Sequence, residues 1–354
     1  MRSSAEARLT SPPPLPSGFR AGHWTRADGA TGCTVLIAPQ GARGGVVVLG
    51  GGTGTRELEP LRAHANAQGP DAILLTGGSA FGLAAAEGAV RWLRERGVGR
   101  ATPMGVVPLV PAAVIYDLHA GGEPPGPEAG RAACELASGG VPQRGAIGAG
   151  AGAAVGKAFG REFATRAGVG YAGARTGDGF TVAALAVANS VGDVRDERGG
   201  VLGGPNDRYG RISPTDELLA RMRVAEGWPL RGAEGSRLCG AQSVKPPAGE
   251  STTLVCVCTD APLDKRECAI VARMAAAGIA RAVAPVFTPL DGDVLFVVAS
   301  GEGERRIDAG DAERTLLLTV LGTVGATVTA EAIRDAVRSV SPGKGEESGR
   351  RSGS

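Results

Sequence analysis

A mixed α/β fold with helices packed on sheets is what this sequence predicts. Three observations carry it: short apolar runs punctuated by glycine and proline, longer stretches with apolar residues at helical spacing, and no strict alternation of the two. With 354 residues, 43 % hydrophobic and 21 % charged, the chain is long enough for one large domain or two ordinary ones, either with a substantial core. Glycine, at 58 residues, is used about twice as often as average but shows no G-X-Y period, which excludes a collagen-like chain.

The elements follow in order. Residues 1–20, which include Ser11-Pro12-Pro13-Pro14, and the tail 341–354 are polar and rich in Pro, Gly and Ser, so they are expected to be disordered and to flank a single folded body over 21–340. Val46–Leu49, Ala72–Leu75, Ala113–Leu118 and Val182–Val187 read as buried strands bounded by glycine, proline or polar residues. Ser79 is placed to cap a helix whose apolar face is Phe81, Ala85, Ala89 and Trp92, with Arg94 and Arg96 in the last turn and Gly97 ending it. Val194 to Arg211 is charged and glycine-rich and reads as a surface loop. A second helix is expected from Ser213-Pro214-Thr215-Asp216-Glu217 through Leu218, Leu219 and Met222. Gly232–Glu250 reads as an exposed linker running straight into a strand at Thr253–Thr259. A third helix starts at Asp260-Ala261-Pro262 and places Cys268, Val271, Ala275 and Ile279 on one face. The last strand, Val294–Ala299, precedes a long helical region over 309–340 in which Gly322 and Gly325 are candidate breaks.

Composition narrows the function. The 38 basic and 36 acidic groups leave a net charge of +2, with no footprint for nucleic acid or an anionic membrane, and aromatics at 4 % argue against a base-stacking surface. Ala101–Tyr116, the stretch read as most apolar, holds Pro103, Pro108 and Pro111 and is too short to span a bilayer. The first residues lack an apolar signal core, so a cytoplasmic location is expected. The six cysteines read as reduced core residues.

Several motifs fail when checked. Gly148 to Lys157 is not a phosphate loop, because Ala151 stands where its first glycine belongs and Ala158 replaces the magnesium-binding Ser or Thr. Nor is it a dinucleotide fingerprint, since Val155 occupies the third glycine position. Gly77-Gly78-Ser79-Ala80-Phe81 lacks the glycine after the serine that a nucleophile elbow needs. Only three histidines are present, and Cys256-Val257-Cys258 has no second ligand pair, so neither a metal nor any other cofactor is expected.

Acyl-transfer chemistry then needs another base. A cut just before a threonine exposes an α-amine with a pKa near ~7.7–8.0 beside the hydroxyl, so one residue supplies both nucleophile and base. Ser251-Thr252-Thr253, between the linker and its strand, is the place for such a cut, with the Thr252 hydroxyl attacking the Ser251 carbonyl. Taken alone, Thr-Thr is also plain β-propensity, Asn189-Ser190 an ordinary strand-end turn, and Asp291-Gly292-Asp293 an everyday turn.

Leu75-Thr76-Gly77-Gly78-Ser79-Ala80-Phe81-Gly82-Leu83, Gly145-Ala146-Ile147-Gly148-Ala149-Gly150-Ala151-Gly152, Val187-Ala188-Asn189, Ser251-Thr252-Thr253-Leu254, Thr259-Asp260-Ala261-Pro262-Leu263 and Thr288-Pro289-Leu290-Asp291-Gly292-Asp293 resemble, in order, the L-aminopeptidase/D-esterase peptidase family, over about residues 20–335. The threonine and the Asp-Gly-Asp segment are nearest the family's endo-type nylon-oligomer (6-aminohexanoate oligomer) hydrolase branch. The resemblance implies a four-layer α/β/β/α sandwich of the N-terminal-nucleophile type, cleaved by itself into an α chain, 1–251, and a β chain, 252–354. It implies Thr252 as nucleophile, with Ser251 before the cut where relatives usually have asparagine or glycine. Asn189 then donates to the oxyanion, Lys157 keeps the terminal amine deprotonated by repulsion, and Asp291 and Asp293 orient Thr252. The glycine run, with Gly148, Gly150 and Gly152, is expected to leave room for substrate. The expected activity is amide hydrolysis of small peptides or amide oligomers by a homo-oligomer, without cofactor or metal. The alternatives are an ornithine-acetyltransferase-like N-acyltransferase and a non-catalytic relative that stays one chain.

Overall fold

The computed structural model describes residues 11–118, 122–206, 211–220, 251–301 and 310–340. Along the chain come β1 (Arg20–Thr25), β2 (Gly32–Ile37), β3 (Arg43–Val48), β4 (Thr55–Arg56), β5 (Ala72–Thr76), α1 (Ser79–Gly82), α2 (Ala85–Glu95), β6 (Ala112–Val114), α3 (Pro127–Glu135), β7 (Val169–Arg175), β8 (Thr181–Asn189), α4 (Thr215–Ala220), β9 (Thr252–Thr259), α5 (Lys265–Ala275), α6 (Ala277–Ala282), β10 (Val294–Ala299) and α7 (Asp311–Arg338). One sheet runs β1-β2-β5-β6-β4 and the other β7-β8-β9-β10-β3. Neighbours are antiparallel except β5 with β6 and β9 with β10. The parallel pair β9/β10 needs a crossover, which α5 and α6 supply.

Strand alternation sorts the side chains into layers. Leu36, Leu75 and Ile115 of the first sheet region meet Leu185, Leu254, Cys256 and Phe296 of the second in a core between the sheets. The other face of the first sheet, Val35, Ile37 and Leu74, packs on Trp92, Leu93 and Ala133 of α2 and α3. On the far side of the second sheet, Val257 and Val297 pack on Val271, Ile279, Leu321 and Ile333 of α5, α6 and α7. The order of layers is therefore α/β/β/α, and each fully buried Leu, Ile or Phe contributes about 1.5–3 kcal/mol toward holding it.

Several local expectations are corrected. Ser79 does not cap a helix: Gly78, left-handed at φ 82°, precedes α1, Ser79 itself has φ 53°, and no side-chain cap bond forms. The chain must turn sharply there because Gly77 N–H is held by the Gly32 carbonyl and Gly78 N–H by Asp117. The helix is consequently split into α1 and α2, and Phe81 is 69 % exposed while Ala85, Ala89 and Trp92 are buried. The third helix starts at Lys265, where Asp264 and Glu267 form a capping box. Asp260 instead accepts Thr181 N–H, tying β8 to the end of β9. β6 ends at Val114, short of the expected Leu118. The loop after Asp193 contains a small antiparallel pair, Asp193–Arg195 with Val201–Gly203. Leu15 and Phe19 are buried, so packing begins before residue 20.

Gly322 and Gly325 do not interrupt α7. They face α5, where a Cβ at 322 would sit 2.5 Å from the Met274 sulfur and one at 325 would lie 3.2 Å from Ala275 Cβ, so small residues let the two helices approach. Among the described residues α7 is the one helix long and apolar enough to cross a membrane, a role the sequence reading did not weigh for it. Its Leu317, Leu321, Ile333 and Val337 are core residues against the second sheet. The five described cysteines are all buried and free, and Cys256 and Cys258 both point between the sheets, as alternation predicts. Met222, the linker over 232–250 and the tail over 341–354 lie outside the described residues.

Candidate active site

Four segments converge at the start of β9. Antiparallel pairing of β8 and β9 sets Asn189 directly opposite Thr252. Counting in twos from Leu185 and Leu254, which point into the inter-sheet core, puts both side chains on that same face at the end of the ladder. Thr252 is 4 % exposed, and its Oγ1 donates to the Ser251 carbonyl oxygen at 2.6 Å. The same carbonyl oxygen accepts the Gly292 N–H at 2.8 Å. Ser251 contributes backbone alone: its buried hydroxyl makes no hydrogen bond among the described residues.

The turn over 288–293 wraps this junction, with Ser251 bridged to Asp291 in parallel. Asp293 Oδ1 accepts Thr253 N–H at 2.5 Å and its Oδ2 accepts Phe287 N–H at 3.3 Å. Asp291 Oδ2 accepts both the N–H and the hydroxyl of Thr288, at 3.0 and 2.7 Å, and Oδ1 accepts Val191 N–H at 3.3 Å. Asp291 thereby links the turn to the residues just after Asn189, and Asp293 holds the residue just after Thr252. Both carboxylates are buried. They orient backbone around Thr252 and make no direct bond to its hydroxyl, whose partner is the Ser251 carbonyl.

Burial, reinforced by repulsion from Asp291, pushes the Asp293 carboxyl up to about 7, against the pull of the Thr253 and Phe287 N–H groups. The folded state therefore keeps a proton that the unfolded chain releases near pH 4, so this group makes the fold less stable as pH rises from about 4 to 7 and adds nothing further above that. In urea unfolding at pH 4.5 and 7.5, Asp293→Asn is expected to lose less stability over that interval than the wild type; an equal loss would remove Asp293 as its source.

Asn189 Oδ1 accepts the Ala154 N–H at 3.2 Å, which fixes the amide plane and makes Nδ2 its donor end. Lys157 is only 1 % exposed, in the turn Lys157–Phe159. The Gly156 N–H on the Gly192 carbonyl, and Phe159 packed with Val191 and Leu290, bring that turn against the segments that carry Asn189 and Asp291. Gly156 must lack a side chain, since its φ is 73° and a Cβ would lie 2.4 Å from the Gly204 backbone.

The glycines expected to make room for substrate divide. Gly148 abuts Thr34 and His23, and Gly150 abuts the Gly168 backbone, so at both positions the missing side chain lets neighbouring groups approach. Gly152 lines a cavity together with Ala154. A different glycine run does reach the site, and sequence reasoning passed over it: Gly52 N–H donates to the Asp291 carbonyl, Leu49 N–H to the Asp293 carbonyl, and a Cβ at Gly50 would stand 2.1 Å from the Asp291 oxygen. Gly292 is equally constrained, with Thr252 Oγ1 at 2.6 Å and Gly52 O at 2.7 Å from where its Cβ would be. Thr288 was likewise missed, although it lies within the segment that carries the resemblance. Among the described residues no group of His, Cys, Asp and Glu is arranged to hold a metal ion.

The profile of peptidase family S58 matches residues 17–350. An uncharacterized aminopeptidase of Mycobacterium bovis is 36 % identical over 328 residues, covering 87 % of this chain and 88 % of its own length. A 6-aminohexanoate-oligomer endohydrolase of a Kocuria species is 30 % identical over 312 residues, covering 87 % and 80 %. Among solved structures, a β-aminopeptidase of a Burkholderia species superposes with a TM-score of 0.60 at 22 % identity over 93 % of this chain and 88 % of its own. The L-aminopeptidase D-Ala-esterase/amidase of Ochrobactrum anthropi, described as a variant of the Ntn hydrolase fold, gives 0.61 at 18 % identity over 92 % and 85 %. The four layers are thus the fold of these solved structures, and the match along nearly the whole sequence makes this chain a member of peptidase family S58.

Proposed function

We propose that the protein is a self-processing hydrolase of amide bonds in small peptides or amide oligomers, with Thr252 as its nucleophile. The observation that carries this is the convergence of the Thr252 hydroxyl and the Gly292 N–H on one oxygen, the Ser251 carbonyl. In the uncut chain the hydroxyl oxygen bonds to the Ser251 carbonyl carbon, the peptide C–N bond breaks, and the hydroxyl proton passes to the departing nitrogen, giving an ester and a free Thr252 amine. Gly292 N–H is positioned to stabilise the oxyanion of that step. Water then hydrolyses the ester, leaving a Ser251 carboxylate and a Thr252 hydroxyl beside its own amine.

The same parts serve the substrate. The Thr252 amine accepts the hydroxyl proton, the oxygen attacks the amide carbonyl, the amine returns the proton to the leaving nitrogen, and water then hydrolyses the resulting threonyl ester, releasing the acid and restoring the Thr252 hydroxyl. Once the Ser251 carbonyl has left, Gly292 N–H is available to the substrate oxyanion alongside Asn189 Nδ2. A positive charge on Lys157, buried in the turn packed on this region, disfavours protonation of the Thr252 amine. The aminopeptidase and oligomer-hydrolase relatives support hydrolysis over transfer of the acyl group to another amine. The reading includes a cytoplasmic homo-oligomer of processed protomers.

Denaturing mass spectrometry of the purified protein is expected to show a fragment from Thr252 to Ser354, and Edman degradation of that fragment to begin Thr-Thr-Leu. An intact chain under all conditions would support the uncleaved, non-catalytic alternative.

A further inference from the structure

A cavity of about 370 Å3 adjoins the site, lined in part by Ala30, Asp117, Gly152, Ala154, Arg161 and Arg166. Ala154 belongs to both, because its N–H holds the amide of Asn189. The larger hollow of about 850 Å3, near Gln40, Asn66 and Leu109, shares no lining residue with the site.

Among the described residues that line the smaller cavity, the charges are not balanced. Asp117 lies buried in its wall, with Oδ1 accepting Gly78 N–H at 2.7 Å. Burial pushes its carboxyl up, while Thr31, Arg161 and Arg26 pull the other way. Arg26 is itself paired with Asp28 at 2.8 Å. Arg161 Nη2 donates to the Gly152 carbonyl at 2.7 Å, which pins that guanidinium to the wall near Asp117. Arg166 is exposed, and its hydrogen bond among the described residues is a long one, 3.5 Å, to the Ala151 carbonyl. Among the described lining residues one acid faces two guanidiniums, and Arg166 is the one that pairs with no carboxylate there.

We propose that this cavity receives the free carboxylate of the substrate, with Arg166 and Arg161 as its specificity-determining residues. The assignment rests on the hydrolase reading above. When a linear peptide or amide oligomer is cut at one amide, the acyl portion keeps the amino end and the leaving amine carries the carboxylate. A guanidinium pair beside the oxyanion residue therefore selects the leaving portion, and a planar guanidinium meets a carboxylate through two parallel hydrogen bonds. The volume falls in the range of small-ligand pockets, about 300–1,000 Å3.

The test is steady-state kinetics on alanyl-glycine, alanyl-glycinamide and alanine p-nitroanilide. Wild type is expected to favour the free acid over the carboxamide by roughly tenfold in kcat/KM, mainly through KM, consistent with one charged hydrogen-bonded contact. Arg166→Gln should bring that ratio close to one and Arg166→Lys restore part of it. If wild type hydrolyses the anilide but shows no preference for the acid, or if the preference survives Arg166→Gln, the subsite is wrong while the hydrolase reading stands. If none of the three is hydrolysed, the hydrolase reading fails, and calorimetry with glycylglycine and its amide decides the subsite. Tighter binding of the acid that is lost in Arg166→Gln supports it, and equal binding of the two overturns it.

Discussion

Thr252→Ala should remain a single chain and hydrolyse no amide bond, because the hydroxyl that, among the described residues, contacts the Ser251 carbonyl is gone. Loss of the nucleophile in a comparable serine hydrolase costs about 10⁶-fold in kcat, so activity is expected to fall to background. Thr252→Ser keeps the oxygen and should both cleave and turn over. The methyl group of threonine contributes packing in a buried position, so the serine variant is also expected to be modestly less stable. Intact-mass analysis paired with an amide-hydrolysis assay checks cleavage and turnover in both variants, and urea unfolding checks the stability of the serine variant. Persistent hydrolysis by the alanine variant would place the nucleophile elsewhere.

The next largest effect is expected at Asn189. In the proposed mechanism its Nδ2 end is the side-chain donor for the developing oxyanion, and removing such a donor typically lowers kcat by about 10²–10³ with little change in KM. Asn189→Ala also strands the buried Ala154 N–H, at a cost of about 1–3 kcal/mol. Asn189→Asp keeps an acceptor for Ala154 and replaces the donor with a second acceptor. Comparable kcat losses in both variants, with a larger stability loss in alanine, would separate the catalytic contribution from the structural one. A kcat within a few-fold of wild type in Asn189→Asp would show that Gly292 N–H and other groups carry the oxyanion without it.

Regular elements with strong patterns could be read directly. Val294–Ala299 is unbroken apolar sequence between polar turns, and the structure has the strand at those limits. The helical face of Cys268, Val271, Ala275 and Ile279 is buried as its spacing requires, although Ala276 ends α5 within it. Errors arose where tertiary contacts override local preference. Ser79 looks like a cap, but the backbone there is bent by bonds to Gly32 and Asp117, far away in sequence. Gly322 looks like a break, but its use is against Met274 on another helix.

The site shows the same division. Thr252, Asn189, Asp291 and Asp293 carry recognisable side chains, and pairing of β8 with β9 and of Ser251 with Asp291 brings them together. Gly292 and Gly50 act through backbone groups and through the room they leave, which no residue type announces. The Thr288 bonds to Asp291 depend on a turn whose shape is set by Leu49 and Gly52, more than 230 positions earlier in the chain.

The place of β9 within its sheet bears on what a cut before Thr252 would do to the particle. β9 is zipped along its length to β8 on one flank and to β10 on the other. A nick at its first residue severs one covalent link and leaves both ladders whole. The two polypeptides would then interlock as halves of one sheet, co-migrating in native buffers and coming apart only in denaturant.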